Sequence, residues 1–380
     1  HPQYNDILHG FTYNGYYYIG FFVSLTLTLC FLIYRKIFSK RNLEDLMTAP
    51  LLIWLLINIG IAFYLKGAGF FIIPVTILLI EFGILIFSTK KNTLLLFTLL
   101  AFPVILIFAP MIKMFPVGLG LKMLAISTVF TTLIFGFLIP ILHSFGKSKR
   151  IIKVLAILTL VLLVMAEMKS DYTEDRKAPN SIIYVLDSNS NEAYWRTYNQ
   201  RMDAFTSQFF ENKEAGSFYK NGTASKYSTK TRHFAKAPLK DLPKPNIYIK
   251  KDTIVGAFRK IDITIYSKRE ANKIELMANV PMKFKEMKVN QIALNNKNDS
   301  NYVLEVNGGS ILSYYLTDIN EMLEIEFVLD KEQPFDLDVL EAKFDLLHNP
   351  AFEITPRTKE MIPMPFVLND ATIIKTTIKL

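Results

Sequence analysis

Cysteine is almost missing from this chain: there is one in 380 residues, Cys30, and it sits inside an apolar stretch. Beyond residue 168 there is none, so no intramolecular disulfide can brace that part, whatever the redox state of its compartment. Its stability has to come from a core, which a domain of roughly 200 residues can supply. Histidine is scarce as well. His1, His9, His143, His233 and His348 show no HxD, HExxH or HxxxH spacing, whereas zinc hydrolysis needs several imidazole and carboxylate ligands converging on one ion. A complete metal site within these residues is therefore not expected. No GxSxG elbow occurs. The pair Gly308-Gly309 reads as a hairpin turn, not as a phosphate cradle.

Acidic residues are thin in the first 168 positions, five against 13 Lys and Arg, while the remainder carries 29 acidic and 30 basic residues. The formal charge of +9 thus belongs to the first part, and no basic face remains for a phosphate backbone. A nucleic-acid partner is not expected.

Long hydrophobic runs, by contrast, are plentiful. Six apolar stretches occupy roughly Tyr16–Tyr34, Pro50–Leu65, Phe70–Phe87, Leu94–Pro110, Val117–Leu142 and Ile151–Ala166. Each approaches or exceeds the ~17 residues that span ~30 Å of hydrocarbon, which predicts a six-helix membrane domain over 16–168, preceded by a stub over 1–15. The first stretch lacks the basic leader and small-residue cleavage site of a signal peptide. The stub is polar and aromatic, too short to fold alone, and starts with His; this reads as a chain from which something was removed, or as a fragment.

Translocation disfavours positive charge in short loops. One set of loops holds Arg35, Lys36, Lys40, Arg41, Lys90, Lys91, Lys147, Lys149, Arg150 and Lys153; the other holds only Lys66, Lys113 and Lys122. Both termini are therefore expected outside the cytoplasm, in a bacterial inner membrane with a periplasmic β-domain. Tyr13, Tyr16, Tyr17 and Tyr18 read as an aromatic belt at the outer face, and His143 as an interfacial anchor. Glu81 is the intramembrane ionisable residue that needs a reason: such a group is costly near mid-bilayer and by default marks function. A structural role, with Asn58 or Thr128 as partner, stands beside a functional one. Pro74, Pro103 and Pro140 interrupt three of the spans, which neighbouring groups can accommodate.

After Glu167 the texture changes. Residues 169–180 form a polar linker ending in Ala178-Pro179. Ser181–Leu186 and Ala193–Tyr198 flank the turn formers Asp187–Asn191 and predict a β-hairpin. Tyr194 and Trp195 read as hairpin core residues, with a binding platform as the alternative. Met202, Phe205, Phe209 and Phe210 predict a short amphipathic helix over Arg201–Glu211, and Gly216–Pro245 an exposed loop. Strand signals then recur at Val255–Tyr266, Lys273–Ala278, Lys285–Leu294, Tyr302–Val306, Ile311–Leu316, Leu323–Leu329 and Phe335–Phe344. Alternation in IDITI and LEIEFVL predicts one wet and one buried face. Together these predict a mainly-β domain over 181–380, a sandwich of two antiparallel sheets. The tail, with its four prolines and the run Thr372–Leu380, is expected to add an edge strand.

The order of the multi-span block, KGAGFFIIPV (Lys66–Val75), the hairpin SIIYVLDSNSNEAYWRTYN (Ser181–Asn199) and the tail NPAFEITPRTKEMIPMPFVLND (Asn349–Asp370) resembles the C-terminal half of membrane-bound zinc peptidases. These are aminopeptidase Y-like enzymes of the vacuolar membrane protease or endoplasmic reticulum metallopeptidase type, in the version found in Bacteroidota. The resemblance implies a chain that anchors and supports a catalytic domain lying ahead of the spans. That domain would hold the zinc and cleave peptide substrates; none of its ligand positions falls in this sequence, so no catalytic or metal residue is carried over. The implied partners are the lipid bilayer and the upstream peptidase domain. Two other readings stand beside it: a non-enzymatic envelope protein whose β-sandwich binds a partner, and a small transporter using Glu81.

Overall fold

The computed structural model describes residues 2–8, 10–38, 40–87, 93–144, 149–210, 214–215, 229–295 and 301–380. They form two compact units, residues 1–171 and 172–380.

The first unit is helical: α1 (Pro2–Asp6), α2 (Gly15–Phe38), α3 (Leu43–Tyr64), α4 (Ile72–Phe87, entered through a 3-10 turn at Gly69–Phe71), α5 (Leu94–Leu119), α6 (Leu124–Phe137), α7 (Ile139–Leu142) and α8 (Lys149–Met168). In hydrocarbon every backbone group has to be satisfied within its own segment, and a helix does that. Five segments are long and apolar enough to cross a membrane: Gly15–Phe38, Leu43–Tyr64, Gly69–Phe87, Leu94–Leu119 and Lys149–Met168. Their outward residues, such as Leu56, Phe63, Leu95, Leu106 and Val164, are exposed hydrocarbon, as a lipid-facing surface requires.

The fifth expected span, Val117–Leu142, is redrawn. α5 runs on through Pro110 and Pro116 to Leu119, and Gly120, at φ +85°, ends it. What remains is a 3-10 turn at Leu121–Met123, then α6 and α7. The break falls at Leu138, two residues before Pro140, whose ring removes one N–H and disfavours a continued helix. α2 lies antiparallel to α8: Thr159 Oγ1 donates to Ser24 Oγ at 3.0 Å near their middles, and Asn14 Nδ2, just before α2, donates to Ala166 O at the end of α8 at 3.0 Å. The start of α2 and the end of α8 therefore lie together. The segment Leu121–Phe137 is a shorter apolar helix than the five.

The stub expected to be too short to fold alone is held by this block. Gln3 Nε2 donates to Lys169 O and Ser170 O at 3.0 and 2.7 Å, two carbonyls at the end of α8 that its own turn leaves open. Tyr16 packs against Phe11 and under the Lys113 ammonium at 5.0 Å.

The second unit holds β1 (Ala178–Asn180), β2 (Ile183–Asp187), β3 (Glu192–Thr197), β4 (Glu214–Ala215), β5 (His233–Lys236), β6 (Asn246–Val255), β7 (Phe258–Tyr266), β8 (Lys273–Phe284), β9 (Glu286–Val289), β10 (Ile292–Ala293), β11 (Leu304–Tyr315), β12 (Met322–Asp330), β13 (Asp336–Lys343), β14 (Met361–Pro363) and β15 (Ala371–Lys379). One sheet runs β11-β8-β13-β15-β2-β3-β5-β4, a second β10-β9-β12-β7-β6, and β1 pairs with β14. The second sheet packs on part of the first through Ile261, Ile263, Phe327 and Leu329 against Leu276, Phe284, Leu337 and Val339. Beside it, the same face of the long sheet, through Tyr184, Leu186, Trp195 and Ile374, is covered by Phe205, Phe210, Leu242 and Leu346. The architecture is the expected sandwich, with five local corrections.

β15 is not an edge strand. It lies between β13 and β2 and runs parallel to β2, with Ile373 opposite Val185, so the long sheet is mixed. Its residues Ala371–Ile374 are all buried, and such a run belongs mid-sheet. Gly308-Gly309 makes no hairpin: β11 passes straight through, with register shifts against β8 between Asn307 and Gly309 and between Ser310 and Leu312, the glycines standing at the first with φ of +84° and +100°. The expected strand Val255–Tyr266 is β7, which starts only at Phe258; the turn at Gly256 (φ +62°) joins it to β6, Asn246–Val255, which was not among the expected strands. The amphipathic helix over 201–211 is a single 3-10 turn, Thr206–Phe209, started by Asp203, whose Oδ1 accepts from Thr206 N at 2.7 Å. Part of the expected loop 216–245 is strand β5, and residues 216–228 lie outside the described residues.

Candidate functional site

Helix α4 buries Pro74, Val75, Ile77, Leu78 and Glu81, a stripe at helical spacing. Glu81 therefore sits on the packed face, one turn beyond Ile77 and Leu78, and is 1% exposed. Among the described residues its Oε2 has no hydrogen-bond partner. Neither expected partner reaches it: Asn58 Nδ2 donates to Phe71 O and Thr128 Oγ1 to Ala125 O. A charge buried this way without a partner costs a few kcal/mol in a bilayer. Several other buried polar groups of the block are matched. Pro116 cannot donate to Ile112 O, and Ser127 Oγ takes that carbonyl at 2.6 Å from the neighbouring helix. Trp54 is fully buried with its Nε1 unpaired, its ring edge-on to Phe108 at 5.1 Å.

In the β unit, Tyr194 and Trp195 point to opposite faces of β3. Trp195 packs with Phe209 at 4.7 Å and Tyr184 at 5.2 Å and is buried, which makes it core. Tyr194 donates to Glu192 Oε2 at 2.7 Å; that bond, helped by burial, pushes its pKa up to about 12. Tyr184 Oη donates to Pro238 O and accepts from Lys240 N, both at 3.0 Å. The hairpin thus serves the fold, and its two aromatics do not form one surface.

The face of the long sheet opposite the hydrophobic clusters carries buried charge. Lys375 Nζ lies 3.0 Å from Asp187 and 3.5 Å from Asp338, and Lys273 lies 3.5 Å from Glu275. Burial alone would raise the Asp187 pKa; the Lys375 ammonium and the N–H groups of Asn189 and Ser190 outweigh it and hold the carboxyl below its ordinary value. On the core side, Arg269 Nε donates to Glu341 Oε2 at 2.9 Å and its Nη2 to Glu341 O and Thr372 O. Arg357 makes a forked pair with Asp370 at 2.7 and 2.6 Å and stacks over Phe205. None of these was singled out from sequence. Their signal was there, since Glu341 stands between Leu340 and Ala342 and Lys375 directly follows Ile373 and Ile374.

Of the histidines, His143 follows α7 and packs on Phe38 at 5.3 Å, His233 is on β5 and His348 is in the turn after β13. His1 and His9 lie outside the described residues, as do Lys90, Lys91 and Lys147 of the basic loops. Among the described residues no three His, Cys, Asp or Glu side chains come together as a metal site.

Fold and composition define the class: a membrane protein with a helical transmembrane unit followed by a mixed β-sandwich. No protein-family model matches the chain, and no curated protein matches it.

Proposed function

We propose that this chain is the membrane anchor and accessory β-domain of an exported zinc-dependent peptidase, whose catalytic domain lies ahead of the first helix. The reading rests on the resemblance of the span order, the Ser181–Asn199 hairpin and the Asn349–Asp370 tail to membrane-bound aminopeptidase Y-like enzymes. One structural observation carries it further. Gln3 and Asn14 are bonded to the last carbonyls of α8, so a domain ahead of α1 and the β unit after α8 would emerge on the same side of the bilayer. The excess of Lys and Arg in the alternate loops puts that side outside the cytoplasm, with the β unit in the periplasm. The anchor would hold the peptidase at the membrane and the β unit would buttress it. The zinc, its ligands and the peptide substrates belong to the upstream domain. The test is hydrolysis of amino-acyl and short peptide substrates by the purified full-length gene product with zinc bound. Activity lost on chelation and restored by zinc is the expected result; a zinc-loaded, folded product without any such activity overturns the reading.

A second reading is favoured by Glu81 alone: a buried carboxyl with an unpaired oxygen is what a transport pathway would use. Reconstituted protein carrying Glu81→Gln should then lose proton- or cation-coupled flux, and full retention removes that reading.

A further inference from the structure

At the end of the helical block far from the stub, cations gather from two segments that are distant in sequence. α2 closes with Arg35 and Lys36 in its last turn, and α8 opens with Lys149 and Arg150, followed one turn later by Lys153. The seam between the two helices fixes where these side chains point. Leu162 lies against Gly20, Thr159 Oγ1 donates to Ser24 Oγ, and Phe31 shares a buried cluster with Ile152. With about 100° of rotation per residue, Arg35 continues the α2 side of that seam. Leu29, Leu32 and Lys36 lie roughly 80–140° round from it. On α8 the buried line is Ile152, Thr159 and Ala166, and Lys149, Lys153, Ile157 and Leu160 lie roughly 60–140° round from that line. Because the helices are antiparallel, the same sense of rotation brings both sets to one flank of the pair. The other flank is taken by α6, whose Phe135 packs on Phe31 and Tyr34.

Along the open flank the chemistry changes with depth. Measured at about 1.5 Å per residue from the Ser24–Thr159 bond, Lys36 stands about 18 Å and Lys149 about 15 Å away along the axis, level to within a turn. Both are exposed, as is Lys153, and no ion pair joins Arg35, Lys149 or Lys153 to a carboxylate among the described residues. Closer to that bond the flank is bare hydrocarbon: Leu29 is 50% exposed, Leu32 45%, Ile157 61% and Leu160 64%. The stem of Lys153 lies at this depth and can carry its ammonium up to the other cations. Glu44 and Asp45 are in the first turn of α3, whose Leu46 packs with Phe38 and Ile139, on the flank that α6 and α7 occupy.

We propose that the open flank of α2 and α8 binds an anionic phospholipid, with its phosphate among Lys36, Lys149 and Lys153 beside Arg35, and its acyl chains on Leu29, Leu32, Ile157 and Leu160. A zwitterionic headgroup brings its own ammonium into the cluster and offsets the attraction, so the site selects for net negative charge. Inorganic phosphate meets the cations alone and gains nothing from the hydrocarbon beside them.

Native mass spectrometry of the full chain tests this, with phosphatidylglycerol or phosphatidylcholine of the same acyl chains added to the detergent-solubilised protein. Phosphatidylglycerol is expected to bind several-fold more tightly. Combining Lys36→Gln, Lys149→Gln and Lys153→Gln should bring the two lipids to parity, whereas Lys→Arg at the same three positions should keep the preference. Lys66→Gln with Lys122→Gln, which removes as much of the charge held by the other set of loops, should leave it unchanged. Equal affinity for the two lipids in the unaltered chain overturns the proposal, as does an equal fall in the Lys66 and Lys122 variant or displacement of phosphatidylglycerol by millimolar inorganic phosphate. A second measurement needs no variant. The Tm of the unaltered chain should be higher in nanodiscs containing phosphatidylglycerol than in pure phosphatidylcholine, by a margin that shrinks at high salt; identical melting in both overturns the proposal too.

Discussion

The two units differ in the polar groups they bury. In the helical block they are mostly neutral and satisfied locally: Thr26, Thr28 and Thr131 each donate to the carbonyl four residues back in their own helix. In the β unit they include, beside neutral side chains, full charges in pairs: buried Arg269 with Glu341, and half-buried Arg357 with Asp370 and Lys375 with Asp187 and Asp338. The contrast follows from what each interior is traded against. A helix carries its own acceptors, and in lipid an unmatched charge has no water to fall back on. Strands present side chains of neighbouring segments at fixed spacing, so that a buried cation and a carboxylate can meet across the sheet. Glu81 is the exception that joins the two: a charge-bearing residue of the kind the β unit pairs, set in a block that offers its Oε2 nothing.

The largest expected effect tests that contrast. Glu341→Gln strands the Arg269 guanidinium in the core and should cost about 3–5 kcal/mol, lowering the β-unit Tm by on the order of 10 °C. Glu81→Gln removes no ion pair and should leave the Tm of the helical block unchanged or raised. Equal losses from the two substitutions in a thermal melt would erase the distinction. Next comes Gly120→Ala. Its φ of +85° and ψ of 168° lie where side chains are strained, and an added Cβ would meet Gly10 O at 3.2 Å; a loss of about 1–3 kcal/mol is expected in detergent unfolding. Thr159→Val removes the α2–α8 side-chain bond and should cost only about 0.6 kcal/mol.

The smallest effect is local and depends on pH. Glu321 accepts from Tyr314 Oη and from the N–H groups of Thr317 and Asp318, which holds its pKa at about 2 against an ordinary 4.5. A depressed carboxyl stabilises the fold fully above its unfolded value, and the contribution is lost as pH falls from about 4.5 toward about 2. Protection of the Thr317 and Asp318 amides against exchange should therefore be unchanged by this group above about pH 4.5 and should fall as pH drops toward about 2, ahead of the amides of β12. Glu321→Gln should abolish this difference.

Much of this was legible in the sequence because it is periodic or compositional. Apolar length located the five long helices, since bilayer thickness sets it, but not all their ends: α3 begins at Leu43 instead of Pro50 and α5 runs past Pro110 to Leu119. The Asp187–Asn191 turn and its flanking strands were readable because local turn chemistry decides a hairpin. Alternation marked the wet and dry faces of β7 and β12. Legibility failed where one residue serves two elements. The expected span stops at Pro110, yet α5 continues to Leu119, and Ser127 on another helix takes the carbonyl that Pro116 leaves free. Gly308-Gly309 reads as a turn, yet β8 runs the whole length beside it and the pair lies at a register shift within β11.

By itself, then, the sequence determined the division into a lipid-compatible helical part and a β part, for both follow from how much hydrocarbon each stretch must hide and from what solvent. Only the tertiary structure decided that β15 is central and parallel to β2, that Glu81 has no partner among Asn58 and Thr128, and that Arg269 meets Glu341. These depend on which distant segments become neighbours, and no spacing along the chain encodes a contact made across a sheet or between helices.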